Sequence, residues 1–207
     1  MNHLAHALLG GETADLLLGS VLGDFVHGPV PTQLRREVQI GIRLHRAIDV
    51  YTDAHPILQA ARAAFVPPYR RYAGIILDVW FDHLLARDFT RWHAGVLDEF
   101  SANFLLVLAA HREELPPPLR GYLAYLQREG LPAAYREREV VARALAGIGT
   151  RLSRPNPLAS ALMAIEPVEQ LLQSRFEEFF PQLQEFAKVR LFQLRDIPEP
   201  IRGNRET

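Results

Sequence analysis

The sequence contains no cysteine among its 207 residues. This absence excludes a disulfide framework and any metal site built from thiolates, so a bound metal would have to be held by imidazole nitrogen and carboxylate oxygen atoms. The lack of cysteine also fits a reducing compartment, and the first residues lack the basic segment of a secretory signal. We therefore expect a cytoplasmic protein.

Long apolar runs are missing as well. The longest, such as 104–110, fall far short of the roughly 20 residues that a helix needs to cross a bilayer. The formal net charge is only −1, so the chain has no overall basic field that would attract nucleic acid. Neither a membrane nor a nucleic acid is expected as a partner, and the sequence gives no prediction of the oligomeric state.

Strand-like alternation of apolar and polar residues is absent too. Apolar residues instead recur at helical spacing along almost the whole chain, and segments rich in proline and glycine separate them. This pattern predicts an all-α fold, a single-domain bundle of about nine helices over residues 1–197. Residues 198–207 show no periodicity and are predicted to form a disordered tail.

The predicted helix over 70–92 carries polar groups in its most apolar part. Asp78, Asp82 and His83 interrupt a stretch that is otherwise apolar on nearly every side. Proteins tolerate a buried carboxylate mainly when it is paired or binds a metal. Asp78 and Asp82 lie one turn apart on the same face, where two carboxylates repel each other unless a cation is near. The pattern indicates a divalent-metal site.

A second column of such groups lies on the predicted helix over 34–52. His45, Asp49 and Asp53 follow one another at spacings of four residues. An imidazole with a carboxylate on the same face is typical of a metal ligand and the group that orients it. Asp53 has the alternative interpretation of a cap for the next helix.

Residues near the N-terminus can complete the same site. Asp24 ends the predicted helix over 13–24, where a carboxylate is unfavourable beside the negative end of the helix dipole unless a cation is bound. His3 and His6, three residues apart, can add nitrogen ligands. Each of these residues taken alone can also be a solvated, salt-bridged or core side chain, so the metal prediction depends on the joint pattern.

Several short motifs occur in a fixed order along the first half of the chain. They are Leu4-Ala5-His6, Gly23-Asp24-Phe25-Val26, His45-Arg46 with Ile48-Asp49, Thr52-Asp53, and Leu77-Asp78-Val79 with Asp82-His83. In order and spacing they resemble the acyl carrier protein phosphodiesterase family. The similarity covers most of the chain and extends to Arg151, Ser153 and Arg154 and to the segment 176–181.

This resemblance implies a function and a fold. The family removes the 4′-phosphopantetheine arm from holo acyl carrier protein and leaves the apo protein. It is regarded as a divergent branch of the HD-type metal phosphohydrolases, helical enzymes that bind a divalent ion, typically Mn²⁺, with Mg²⁺ or another metal as alternatives. The HD name refers to an adjacent His-Asp pair, whereas here the adjacent pair has the order Asp82-His83.

The resemblance and the chemistry of phosphodiester hydrolysis together assign a role to each candidate residue. The predicted metal ligands are His6, Asp24, His45, Asp82 and His83. Asp49 or Asp78 is predicted to transfer protons, and Arg46 or Arg154 to hold the phosphate oxygens. Arg35, Arg36 and Arg43 are predicted to recognise the acidic carrier protein.

Two alternative functions remain open at this point. One is an HD-type phosphohydrolase that acts on a nucleotide or alarmone, which needs the same metal ligands but no arginine rim for a protein substrate. The other is a non-enzymatic helical interaction protein, in which the Asp and His residues form a buried hydrogen-bond network and bind no metal.

Overall fold

The computed structural model describes residues 3–196, and within them the predicted all-α class is confirmed. Ten α-helices follow one another in this range, against the predicted number of about nine. They are α1 (His3–Leu9), α2 (Ala14–Leu22), α3 (Arg36–Ala54), α4 (Pro56–Ala63), α5 (Ala73–Arg87), α6 (Leu97–Ala110), α7 (Pro117–Glu129), α8 (Arg138–Arg151), α9 (Ala161–Ile165) and α10 (Glu169–Asp196). The tail predicted over 198–207 lies outside the described residues.

Local signals set the ends of the helices that carry the candidate site. The hydroxyl oxygen of Thr13 caps α2, accepting a hydrogen bond from the backbone N–H of Leu16 at 3.2 Å. Helix α3 ends at Ala54 because the next residue precedes Pro56, which then begins α4. The boundary at Pro56 agrees with the sequence pattern.

Two predicted helices are shorter than expected. Helix α2 stops at Leu22, so Asp24 lies in the turn after the helix rather than inside it. The helix predicted over 70–92 is α-helical only over Ala73–Arg87, with 3₁₀ segments at Tyr69–Tyr72 and Phe89–Arg91. The turn after α2 matters for function, because it allows the Asp24 carboxylate to point back toward α3.

Helices α2 and α3 pack at unusually short range. A Cβ atom added to Gly19 would lie 2.3 Å from the carbonyl oxygen of Val38 and 2.8 Å from the Cα of Gly41. Neither glycine can therefore carry a side chain without the two helices moving apart. The close approach brings the end of α2 against the middle of α3.

The buried core is continuous from Leu4 to Leu194, and α5 runs through it. Trp80 and Phe81 on α5 are completely buried. Helix α5 contacts α1, α4, α8 and α10, which explains why it is apolar on almost every side. In residues 3–196 we find no helix with both the length and the apolar character that a membrane crossing requires.

Candidate metal centre

Three segments bring the candidate ligands together. Helix α1 contributes His6, the turn after α2 contributes Asp24, and α3 contributes His45 and Asp49 from successive turns of the same face. Gly23 lies directly against the His45 ring, where an added Cβ would be 2.2 to 2.7 Å from three atoms of that side chain. The His45 imidazole can therefore occupy this position only because residue 23 has no side chain.

The donor atoms of His6, His45 and Asp49 lie close together, and Asp24 adds a carboxylate against His45. We call these four residues the His-Asp cluster. The Nε2 atom of His45 lies 3.3 Å from Oδ1 of Asp24 and 3.2 Å from Oδ2 of Asp49. The Nε2 atom of His6 lies 3.1 Å from Oδ1 of Asp49. Ligand atoms about 2.1 Å from one ion are themselves roughly 3 to 3.4 Å apart, so the cluster has the spacing of a coordination shell.

A backbone contact fixes which nitrogen of His45 faces the carboxylates. Its Nδ1 atom lies 2.6 Å from the carbonyl oxygen of Ser20, which can only accept a hydrogen bond, so Nδ1 carries a proton. Nε2 then faces the carboxylates of Asp24 and Asp49, and it needs a proton or a metal ion between itself and these oxygens. A histidine held in this way by a backbone carbonyl is typical of metal sites.

Charge is unevenly distributed within the cluster. Burial opposes the charged form of His45, but hydrogen bonds to Asp24 and Asp49 outweigh it and raise the pKa of His45 to about 9. Burial dominates for His6 and lowers its pKa to about 4. Burial would raise the pKa values of Asp24 and Asp49, yet their contacts with the imidazoles lower both. The cluster thus combines anionic oxygens with one neutral imidazole, His6, and one protonated imidazole, His45.

The donor set fits a divalent ion. Donor atoms of His6, His45 and Asp49 all lie within 4.8 Å of one another, and among the described residues no other set of three His, Asp or Glu side chains is so arranged. His3 adds a buried Nδ1 atom 3.8 Å from Oδ2 of Asp24, with no hydrogen-bond partner in residues 3–196. Two imidazoles and two carboxylates suit Mn²⁺, Zn²⁺ and related ions.

Asp82 and His83, predicted as ligands, have other partners. Both carboxylate oxygens of Asp82 accept backbone hydrogen bonds at the start of α1, from Leu4 at 2.8 Å and from Ala5 at 3.2 Å. The Nδ1 atom of His83 is 2.8 Å from the carbonyl oxygen of Tyr135. The expected role of this pair is therefore revised: Asp82 holds the helix that carries His6, and His83 ties α5 to the segment before α8.

Burial sets the ionisation of this pair. It raises the pKa of Asp82 to about 7, in spite of the two backbone donors that favour the carboxylate form. Burial also lowers the pKa of His83. Asp78, the predicted proton-transfer residue on the same helix, is half-buried near Asp82 and does not join the cluster.

The predicted arginine contacts are only partly available. Arg46 donates hydrogen bonds to the carbonyl oxygens of Val26 and Gly28, so it braces the loop after Asp24. Arg35 is paired with Asp15 and Glu114. Arg35 lies ten residues before His45, which places it about 15 Å away along the helix axis.

The remaining predicted arginines lie on the surface. Arg36 donates to the backbone carbonyl of Arg195, and Arg43 donates to the side chain of Gln39. Arg154 is exposed in the loop after α8. Within residues 3–196, none of the three has a hydrogen bond or ion pair with the His-Asp cluster.

A cavity of about 260 Å³ opens beside the cluster, and His3 and Asp24 form part of its wall. Tyr122, Tyr125 and Arg151 also line it, and the sequence pattern predicts no role for them. The spacing of the two tyrosines, three residues apart on α7, places them on one helix face and is the signal that could have indicated them. A larger groove of about 870 Å³ between α3 and α10 contains none of the four cluster residues, so the smaller cavity is the candidate for the reacting group.

Comparison with known proteins places the chain in a family. A family model described as acyl carrier protein phosphodiesterase matches residues 1–183. The chain is 34% identical over 189 residues to the acyl carrier protein phosphodiesterase of Serratia proteamaculans (strain 568), covering 91% of this chain and 98% of that protein. The enzyme of that name from Yersinia pestis matches with the same identity and coverage.

More distant curated relatives carry the same description. The protein from Photorhabdus laumondii is 32% identical over 193 residues, covering 93% of this chain and 98% of its own length. No solved structure matches the fold, so the likeness to HD-type phosphohydrolases stays a prediction. The match over residues 1–183 includes every residue of the His-Asp cluster. The chain belongs to the acyl carrier protein phosphodiesterase family.

Proposed function

We propose that this protein is a metal-dependent phosphodiesterase that releases 4′-phosphopantetheine from holo acyl carrier protein and leaves the apo carrier. The observation that carries the proposal is the position of His45, whose Nε2 faces two carboxylates while its Nδ1 is held by the Ser20 carbonyl. The names of the relatives in the same family support the choice of substrate. We also propose that the reaction takes place in the cytoplasm.

The proposed ligands are the four members of the His-Asp cluster, and the proposed ion is Mn²⁺, with Mg²⁺ or another divalent metal as alternatives. When bound, such an ion lowers the pKa of a coordinated water and offsets charge on the phosphoryl oxygens. His6 and His45, both buried, would hold it from the inside of the fold. The carboxylates of Asp24 and Asp49, with side chains 47% and 41% exposed, would hold it from the open side, and Asp24 also lines the cavity.

The protein's own residues then position the substrate and move one proton. A water oxygen attacks phosphorus, the bond from phosphorus to the serine oxygen breaks, and that oxygen takes up a proton. We assign the acceptance of the water proton to Asp24 rather than to Asp49, because only one oxygen of Asp24 is within hydrogen-bond distance of an imidazole nitrogen, whereas both oxygens of Asp49 are. Arg46 holds the loop that carries Asp24 through the Val26 and Gly28 carbonyl oxygens.

Intact-mass measurement of a carrier protein tests the proposal. Holo carrier incubated with the enzyme and Mn²⁺ should lose the mass of the phosphopantetheine group, and the loss should stop when the metal is chelated. An unchanged carrier mass in the presence of metal would refute the substrate assignment. Nucleotide diesters added to the same assay would show whether the activity is instead directed to nucleotides.

A matched pair of variants on α3 tests the site. Asp49→Asn removes a charge from the cluster and should lower turnover by about a hundredfold or more, in the range seen when metal-site groups are altered. Asp53→Asn, one turn later, is the control, because the Asp53 side chain is 71% exposed and pairs with Arg62. Equal activity of the two variants would remove Asp49 from the site.

A further inference from the structure

The cavity beside the His-Asp cluster adjoins a second cavity and shares lining residues with it. The second has a volume of about 420 Å³ and lies between α7 and α8. Both cavities are lined by Tyr122, Tyr125, Ala144 and Arg151. We call the two adjoining cavities together the path: it starts at Asp24 and ends in a region lined by no residue of the His-Asp cluster.

Aromatic rings form the shared wall. The rings of His3 and Tyr122 are 4.8 Å apart, and those of Tyr122 and Tyr125 are 5.8 Å apart. Within residues 3–196, neither tyrosine hydroxyl has a hydrogen-bond partner. Burial raises the pKa of Tyr122, so its hydroxyl stays a neutral donor. The wall offers apolar ring surface together with hydroxyl groups that are free to bind a ligand.

Two glycines line the second cavity, and a cation lies in the wall that the two cavities share. Gly121 on α7 and Gly147 on α8 line the second cavity, and a Cβ atom added at either position would meet nothing within 4 Å. Arg151, at the end of α8, makes no ion pair or hydrogen bond with any described residue. Its guanidinium is therefore available to an anionic or carbonyl-bearing ligand.

We propose that the two cavities together form the binding site for the pantetheine arm of the substrate, with the phosphodiester at Asp24 and the thiol end near Gly147. This inference rests on the proposed function. The arm is a narrow, flexible chain in which apolar groups alternate with a hydroxyl and two amides. Ring faces match its apolar groups, and the hydroxyls of Tyr122 and Tyr125 match its amide carbonyls.

The size of the two cavities suits the arm and excludes the carrier protein itself. The carrier protein carries the phosphate on an exposed serine and cannot itself enter cavities of this size, whereas the arm extends away from that serine. The carrier must then contact the rim near Asp24, and the arm must lie along the path that starts there. Only the arm reaches Gly147.

Bulky substitutions at the far end test the proposal without altering the cluster. Gly147→Trp fills the second cavity from α8, and Gly121→Trp fills it from α7. Two variants are used because the new indole ring of one of them can turn to solvent, in which case the other still fills the cavity. Ala124→Trp is the matched control, since it adds the same ring to α7 at an exposed position that lines neither cavity. Three measurements are made on each protein with Mn²⁺ present: turnover of holo carrier, binding of free 4′-phosphopantetheine by titration calorimetry, and binding of Mn²⁺ by electron paramagnetic resonance.

The proposal expects the tryptophan variants to bind 4′-phosphopantetheine at least about tenfold more weakly and to turn over holo carrier with a correspondingly raised KM. Mn²⁺ binding should stay as in the unmodified protein, and Ala124→Trp should match that protein in all three measurements. Unchanged affinity and KM in both tryptophan variants would overturn the arm site. A parallel loss of Mn²⁺ binding would also overturn it, because the cavity would then act through the metal centre.

The same measurements separate this inference from the proposed function. An unmodified protein that leaves holo carrier intact, yet binds 4′-phosphopantetheine and loses that binding in the tryptophan variants, overturns the proposed reaction and supports the arm site. An unmodified protein that converts the carrier at a rate insensitive to both tryptophan substitutions supports the reaction and overturns the arm site.

Discussion

The imidazole rings of His6 and His45 stack with their centroids 3.8 Å apart and an interplanar angle of 19°. Two positive charges at this distance are unfavourable, and the charge of His45 contributes to the lowered pKa of His6. At neutral pH the pair therefore carries one positive charge. That charge is on His45, whose Nε2 faces the carboxylates of Asp24 and Asp49.

Metal binding should therefore depend on pH through His45. Because its pKa is raised from 6.5 to about 9, an ion must displace this proton at any lower pH. Apparent Mn²⁺ affinity is expected to rise about tenfold for each pH unit from 7 to 9 and to level off above that range. Anaerobic titration at several pH values measures this dependence, and an affinity that is flat over this range would remove His45 from the ligand set.

The stability of the metal-free protein should change with pH in the opposite direction. The folded-state pKa of His45 is raised, so its contribution to stability is fully present below about pH 6.5 and is lost as the pH rises through 9. Thermal unfolding in the presence of a chelator should show a falling Tm between pH 7 and 9. Added Mn²⁺ should reverse that fall, since it replaces the proton that is lost.

A methyl group at Gly23 should disrupt the metal centre. The new Cβ would lie 2.2 Å from the ring of His45, and overpacking of this kind typically costs about 1–3 kcal/mol. Gly23→Ala is expected to displace the imidazole and to weaken Mn²⁺ binding. Gly121→Ala, where the added atom meets nothing within 4 Å, is the control. Equal metal affinities in the two variants would contradict the role of Gly23.

The sequence pattern predicts part of this site and not the rest, for physical reasons. His45 and Asp49 could be paired from the sequence, because residues four apart on a helix share a face. The sequence predicts Asp82 as a metal ligand because a buried carboxylate needs partners. It does not show whether those partners are an ion or, as in the structure, the backbone N–H groups of another helix. Periodicity predicted the helical fold, while the cavity wall formed by Tyr122 and Arg151 depends on how α7 and α8 pack.

Asp82→Asn separates a structural role from a ligand role. Burial raises the pKa of Asp82 from 3.8 to about 7, so the folded protein binds one proton more than the unfolded chain between these values. Stability should therefore fall as the pH rises through this interval in the unmodified protein, and asparagine, which does not ionise, should remove that contribution. The variant should also lose about 1–3 kcal/mol, because an amide offers only one acceptor to the two backbone donors.

Thermal unfolding between pH 4 and 8 measures both effects, since the variant curve should be lower at its maximum and flatter. Mn²⁺ affinity should change little, because Asp82 faces the N–H groups of Leu4 and Ala5. If the variant keeps the same pH dependence of stability but no longer binds Mn²⁺, Asp82 is a metal ligand and the structural role is wrong.

Arg151 and Arg154, three residues apart, are alternative candidates for the arginine that contacts the substrate, the first from the structure and the second from the sequence. Arg154 was predicted from the sequence to hold the phosphate, whereas Arg151 lines both cavities and has no partner among the described residues. Arg151→Ala is expected to raise the KM for holo carrier about tenfold, the usual scale for a lost charged hydrogen bond, and to leave Mn²⁺ binding intact. Arg154→Ala removes the same charge from an exposed loop position and should have little effect. A general electrostatic attraction of the acidic carrier would make the two variants equally defective and would weaken with salt in both, while a direct contact in the cavity makes only Arg151 sensitive.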